Sequence, residues 1–293
     1  MVKKSKAFSP ARIALAALLA VVVLGGLAVG PAFALVHDQT YPAPHDPVSA
    51  EALAPGVVVI TVKTADGLTL KGLEIAAKPG MPTLLIFHGN GSSAMTTMRW
   101  LAPLVAEGYG MVAAEYREYS GNPGRASEKG LAADADAFYA HARALAGGGR
   151  LIVVAHSLGG GVAFGLARRQ TLDCLITIDT FTRFLDMVPA YGRPFVSDRY
   201  DNEAAIAGLD EPLYIIHGTA DDVVPFAQGQ ELARVAQQAH KTGAFFTIEG
   251  AGHGPDGDTL AMIIRAIIAK LDSHGGTVKV TLPQNVKVTP FGP

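Results

Sequence analysis

Leu151-Ile-Val-Val-Ala-His-Ser157-Leu-Gly-Gly-Gly161 is the stretch whose reading decides the fold. Five apolar residues, three of them β-branched, run straight into His-Ser-Leu-Gly, and a small-residue helical pattern follows. The pattern describes a buried strand, a sharp turn with a serine at its tip, and a helix that begins at once. A serine held there stands out of the sheet beside a helix N-terminus, whose free N–H groups stabilise negative charge. The alternative is a serine that does no more than cap the helix.

Two downstream stretches supply partners for such a serine. Leu213-Tyr-Ile-Ile-His-Gly-Thr-Ala-Asp221-Asp222 reads as an apolar strand ending in a loop with two carboxylates. Phe245-Phe-Thr-Ile-Glu-Gly-Ala-Gly-His253-Gly reads as another strand, then a Gly-rich loop that carries a histidine. Ser157, Asp221 and His253 thus all sit just past the C-terminal ends of strands, where open α/β sheets place their ligands. Asp221 and the adjacent Asp222 compete for the role of orienting acid, and the spacing of Asp221 four residues after His217 favours it.

Upstream, Thr83-Leu-Leu-Ile-Phe-His88-Gly-Asn90-Gly is a strand that ends in a loop before a helix over about Thr96–Glu107. Acyl transfer needs two donors aimed at the developing oxyanion. The backbone N–H groups of Asn90 and Leu158 are assigned to that task. His88 is read as bracing the loop through its ring nitrogens rather than as a base.

On these residues the chain resembles the α/β-hydrolase superfamily, and within it the BEM46-like, ABHD13/ABHD17-like branch. The matching stretch runs from about Val57 to Leu271. It includes Phe87-His-Gly-Asn-Gly, Glu115-Tyr-Arg-Glu-Tyr-Ser, Ser127-Glu-Lys-Gly-Leu-Ala-Ala-Asp134, His156-Ser-Leu-Gly-Gly, Asp198-Arg-Tyr-Asp201-Asn, His217-Gly-Thr-Ala-Asp221, Val224-Pro225 and Gly250-Ala-Gly-His253. The chain order Ser157, Asp221, His253 is that of the family's triad. The resemblance implies Ser157 as nucleophile, His253 as base and Asp221 as orienting acid. Four departures stand out: Glu118, Ser120 and Ala126 replace two glycines and a proline of the family pattern, and Ala155 replaces the usual first Gly of the serine motif.

The chain's bounds agree with an α/β-hydrolase fold: a mostly parallel sheet of the eight-stranded type, helices on both faces and a short cap segment. Its 293 residues, 49% of them apolar, suffice for one large domain. Apolar strand-like runs alternate with helical stretches over Ser127–Ala146, Gly160–Gln170, Phe226–His240 and Asp258–Leu271. The segment Thr180 to Asp210 is expected to cap the site. Phe181, Phe184, Leu185, Met187, Val188, Tyr191 and Phe195 either line an acyl pocket there or glue a cap helix to the body. The sole cysteine, Cys174, has no partner for an internal disulfide and reads as a small core residue.

Residues 1–36 differ in kind. Lys3, Lys4, Lys6 and Arg12 precede the uncharged run Ile13–Val36, long enough for a membrane-spanning helix. A signal anchor or a signal peptide cut near Ala32-Phe-Ala34 is expected, with the domain on the extracytoplasmic, periplasmic side. Residues 37–56 read as a Pro-rich linker, 57–272 as the hydrolase domain and 273–293 as a tail whose Val-Lys-Val-Thr-Leu alternation suits an edge strand or a partner. Beyond residue 36 the chain holds 20 basic against 26 acidic groups, which excludes a nucleic-acid footprint.

The expected chemistry is hydrolysis of an ester or thioester of a small or lipid-like acyl substrate through an acyl-enzyme, without cofactor. His88, His156, His217 and His253 lack a metal-ligand spacing such as His-Glu-x-x-His. An acyl-protein thioesterase or peptidase of this fold, or a non-catalytic binding module, are the alternatives. The sole Asn-X-Ser sequon, Asn90-Gly-Ser92, lies in the oxyanion loop, where a glycan would block the site.

Overall fold

A computed structural model describes residues 34–273 and 281–292. Its strands in chain order are β1 (Val58–Lys63), β2 (Thr69–Ile75), β3 (Thr83–Phe87), β4 (Gly110–Ala113), β5 (Leu151–His156), β6 (Cys174–Ile178), β7 (Leu213–Gly218), β8 (Gly243–Ile248) and β9 (Val286–Phe291). The helices are α1 (residues 34–40), α2 (Ala94–Trp100), α3 (Ala102–Glu107), α4 (Glu128–Ala146), α5 (Leu158–Ala167), α6 (Phe184–Met187), α7 (Asn202–Ile206), α8 (Phe226–Gln238) and α9 (Gly257–Asp272).

The strands form one sheet in the order β1-β2-β4-β3-β5-β6-β7-β8-β9. β4, β3, β5, β6, β7 and β8 are parallel, and the antiparallel strands lie towards the edges. Strand periodicity explains the two-sided core. Leu85, Phe87, Val153, Ala155, Leu175 and Ile215 join one apolar cluster with Phe138 of α4, Phe164 of α5 and Leu232 of α8. Their neighbours Leu84, Ile86, Ile152, Val154, Ile176 and Ile216 join the other, with Met98 of α2, Leu104 of α3 and Ile264 of α9. Alternate side chains point to opposite faces, so a strand that is apolar throughout must be covered on both.

Two segments that the sequence sets apart belong to this body. Tyr41 and Val48, within residues 37–56, are buried. The Val-Lys-Val-Thr-Leu alternation (residues 278–282) lies outside the described residues as far as residue 280. A later segment of the tail forms β9, pairing antiparallel with β8 from Gly243↔Phe291 to Ile248↔Val286, so the sheet has nine strands instead of eight. β9 satisfies the backbone groups along an edge that β8 would otherwise expose. The uncharged run Ile13–Val36 lies outside the described residues as far as residue 33. Among the described residues, no helix is long and apolar enough to cross a membrane.

The loop after β4 carries three of the departures from the family pattern. Glu118 and Ser120 keep positive φ, +73° and +49°, at positions where the family has glycine. The Glu118 carboxylate helps hold this conformation: it accepts the Ala126 N–H at 2.6 Å and bonds His37 Nε2 at 2.9 Å. Just before it, Arg117 is clamped by Asp134 of α4 (2.7 Å) and Asp66 of the β1–β2 turn (2.7 Å). The Asp134 side chain is fully enclosed, while Asp66 is half exposed. Removing the enclosed partner strands a buried cation. Asp134→Ala should therefore lower stability by about 3 kcal/mol, read from a urea midpoint at unchanged slope. A loss near zero would show the clamp to be dispensable.

Candidate active site

Ser157 stands between β5 and α5 at φ +51°, ψ −117°, and its side chain makes no capping hydrogen bond. The capping alternative is thereby excluded. A non-glycine residue there costs of order 1–3 kcal/mol. The surroundings hold it: the Ser157 N–H donates to the Ile178 carbonyl at 2.9 Å, and its own carbonyl accepts the Gly160 N–H at 2.9 Å. The elbow also needs two glycines for close approach. A Cβ on Gly89 would sit 2.9 Å from His156 Nδ1, and one on Gly159 would collide with the Phe87 carbonyl.

Asp221 and His253 are brought together. His253 Nδ1 lies 2.8 Å from Asp221 Oδ2, and the Asp221 side chain is fully enclosed. Asp221 Oδ1 accepts the N–H groups of Val223 and Val224, each at 2.8 Å. Geometry thus separates the two neighbouring carboxylates, since Asp222 is exposed. Ser157 is adjacent in sequence to His156, whose ring centroid lies 4.7 Å from that of His253. No hydrogen bond joins Ser157 Oγ to His253 among the described residues. Such bonds often tighten only when substrate is bound.

Three further buried groups, none assigned a role from the sequence, brace the loops of the site. His217 Nε2 lies 2.9 Å from the Val224 carbonyl and 3.4 Å from Asp221 Oδ2, so its N–H holds the Asp221 loop. Asp179, at the tip of β6 with φ +49°, accepts the Gly218 N–H at 2.9 Å and the Gly254 N–H at 2.8 Å. It thereby ties the loops after β7 and β8 together. Burial pushes its carboxyl up, against the two N–H groups that favour the charged form. Glu115 is the third: one oxygen meets His88 Nε2 at 2.9 Å and the other accepts the Ala94 N–H at 2.9 Å.

His88 Nδ1 meets the Gly89 carbonyl at 2.8 Å, which is the bracing read from the sequence. Asn90, Leu158 and Ser157 line one cavity of about 610 Å³. Leu158 opens α5, so its N–H has no partner within the helix. Of the cap apolar residues, Phe181, Phe184, Met187, Val188, Tyr191 and Phe195 line that cavity, and Leu185 does not. A second, apolar cavity of about 480 Å³ lies behind His156 and Gly254, walled by Ile86, Trp100 and Ile178.

The fold also gathers residues that sequence spacing keeps apart. His156, Asp179 and His253 bring ligating atoms within 4.8 Å of one another, and so do Asp179, His217 and Asp221. Hydrogen bonds to backbone groups and within the His253–Asp221 pair hold Asp179, His217, Asp221 and His253 in these clusters.

His156 Nε2 is enclosed without a hydrogen-bond partner. Burial, then the nearby His253, pushes its imidazole down to about 3. The unfolded residue would protonate near its ordinary value of about 6.5. The unfolded chain therefore binds more protons below that value, and stability falls as pH drops from about 6.5 towards 3. His156→Gln should flatten part of this loss, measured as urea midpoints between about pH 6.5 and 4.5. Equal slopes in the two proteins would show that folded His156 takes up the proton.

Residues 82–208 match the family model described as alpha/beta hydrolase fold. The chain is 28% identical over 235 residues to an uncharacterized protein of Mycobacterium tuberculosis, covering 76% of this chain and 83% of the relative. It is 29% identical over 213 residues to lysophosphatidylserine lipase ABHD12 of Xenopus tropicalis, covering 62% of this chain and 54% of the relative. The chain thus spans about half the length of that lipase. An esterase of Pyrococcus furiosus, Pf2001, superposes with a TM-score of 0.63 at 20% identity, over 80% of this chain and 97% of its own, and shows the fold. The chain has the α/β-hydrolase fold and is similar to proteins of the ABHD type.

Proposed function

We propose that the protein is a serine hydrolase that cleaves carboxylic ester or thioester bonds of acyl substrates. The observation that carries this reading is the 2.8 Å contact of His253 Nδ1 with the enclosed Asp221 carboxylate, at the same rim as the strained Ser157 elbow. The likeness to a lipase and an esterase supports the same class of reaction.

In this mechanism His253 Nε2 takes the Ser157 proton. Asp221 holds the imidazole in the useful tautomer and stabilises the imidazolium. The Ser157 oxygen attacks the acyl carbon, and the backbone N–H groups of Leu158 and Asn90 receive the oxyanion. One such donor is typically worth about 2.7–4 kcal/mol of barrier. His253 then protonates the leaving group, and water releases the acyl group from Ser157 by the same route. None of these steps needs a metal or an organic cofactor. We also read Ile13–Val36 as a signal anchor or signal peptide that places this chemistry across the membrane from Lys3, Lys4, Lys6 and Arg12.

A fluorophosphonate probe should label the wild-type protein, and Ser157→Ala should abolish the labelling. Equal labelling of Ser157→Ala would remove Ser157 from the chemistry, and an unlabelled wild type would favour a non-catalytic binding module. Asp221→Asn should lower kcat on a p-nitrophenyl ester about 10⁴-fold, as expected when the imidazole is left in the wrong tautomer. Asp222→Asn, at an exposed position, should change it less than about twofold.

A further inference from the structure

The large apolar side chains that remain exposed among the described residues are not scattered. Val58, Val59 and Val288 lie on the edge strands β1 and β9. The other three, Leu35 (60% exposed), Tyr191 (84%) and Val223 (54%), all line the cavity that holds Ser157. They come from three separate segments: α1, the cap and the loop after Asp221. Exposed apolar side chains gathered around one cavity mark a surface that water does not normally cover.

The sequence indicates what covers it. Leu35 and Val36, which wall the cavity, are the last residues but one and the last of the uncharged run Ile13–Val36. That run is long enough to cross a bilayer, and it ends at the rim. α1 and the residue after it are fastened there by three polar contacts. His37 bonds Glu118 at 2.9 Å, the Asn90 amide donates to the Thr40 carbonyl at 3.4 Å, and the Tyr41 hydroxyl donates to Asp198 at 2.6 Å. The Glu118 that departs from the family pattern is thus one of the anchors of the cavity wall. Asp38 and Asp222, beside Leu35 and Val223, disfavour a strongly anionic lipid surface.

We propose that this rim is a lipid-docking face: Leu35, Tyr191 and Val223 seat at the headgroup–acyl boundary of a bilayer, and the cavity behind them receives the acyl chain of a bilayer-resident ester, with α1 as the wall that limits chain length. The inference rests on Ser157 being the nucleophile. An acyl chain passing directly from lipid into an apolar cavity avoids exposing its methylenes to water.

The test uses the full chain reconstituted in phosphatidylcholine vesicles. Tyr191→Trp in vesicles doped with doxyl-labelled phosphatidylcholine should show about twofold or more the fluorescence quenching of the wild type, whose Trp100 lines the second cavity and not this one. No excess quenching overturns the docking face, whatever the chemistry. Leu35→Asp and Val223→Asp should lower the ratio of kcat/KM for p-nitrophenyl palmitate in the vesicles to that for p-nitrophenyl acetate by about tenfold, because each puts a charge at the lipid boundary. Val36→Trp should move the preferred acyl chain to a shorter one. Ratios within about twofold of wild type, in protein that still labels with fluorophosphonate and keeps its thermal midpoint, overturn the proposal while leaving the nucleophile reading intact. Loss of labelling in the wild type itself would instead sink the nucleophile reading, and the quenching would still decide the face.

Discussion

At the tip of β5 the chain turns from strand to helix within one residue, and most of the site's geometry depends on that turn. Ser157 adopts φ +51° there, with no cap made by its side chain. The strain persists because neighbours on both sides over-determine it. The Ile178 carbonyl takes its N–H, and Gly89 and Gly159 let the β3 loop and α5 come to van der Waals contact with it. Ser157 and Leu158, the first residue of α5, therefore share the cavity that Asn90 also lines. A side chain at either glycine would separate these parts.

Around the elbow, enclosed polar groups fix loops that come from distant parts of the chain. Asp179 joins the loops after β7 and β8 through Gly218 and Gly254, and Asp221 is itself held by two backbone N–H groups and His217. Glu115 ties His88 to the start of α2. Each is an acceptor placed where backbone donors would otherwise be buried unpaired, so each loop has one conformation in which its polar groups are satisfied. His156 breaks the pattern: its Nε2 is enclosed and unpartnered beside His253. A neutral ring there adds no competing positive charge next to the imidazole paired with Asp221.

Much of the fold and site was legible in the sequence because the signals are local. Runs such as Leu151–Ala155 can be satisfied only by burial on both faces, and the glycines after Ser157 permit only a close helix packing. The positions of Ser157, Asp221 and His253 at strand ends follow from where those runs stop. The remainder was hidden because it depends on which distant segments meet. Asp179 and Glu115 look like ordinary acidic residues after a strand, His217 looks like a strand residue, and Val286–Phe291 resembles a tail. Only pairing with β8, or enclosure among loop N–H groups, gives them their roles.

The sequence by itself determined the strand–elbow–helix unit, the order of the chemistry-bearing residues and the two-faced core, since each follows from the period and size of neighbouring side chains. Tertiary structure alone decided that Asp221 and not Asp222 meets His253, that the end of the uncharged run and the residues just after it wall the cavity beside Ser157, and that the tail extends the sheet. Those outcomes depend on distances between residues far apart in the chain, which are set by packing and by the pairing of buried polar groups, and no local pattern encodes them.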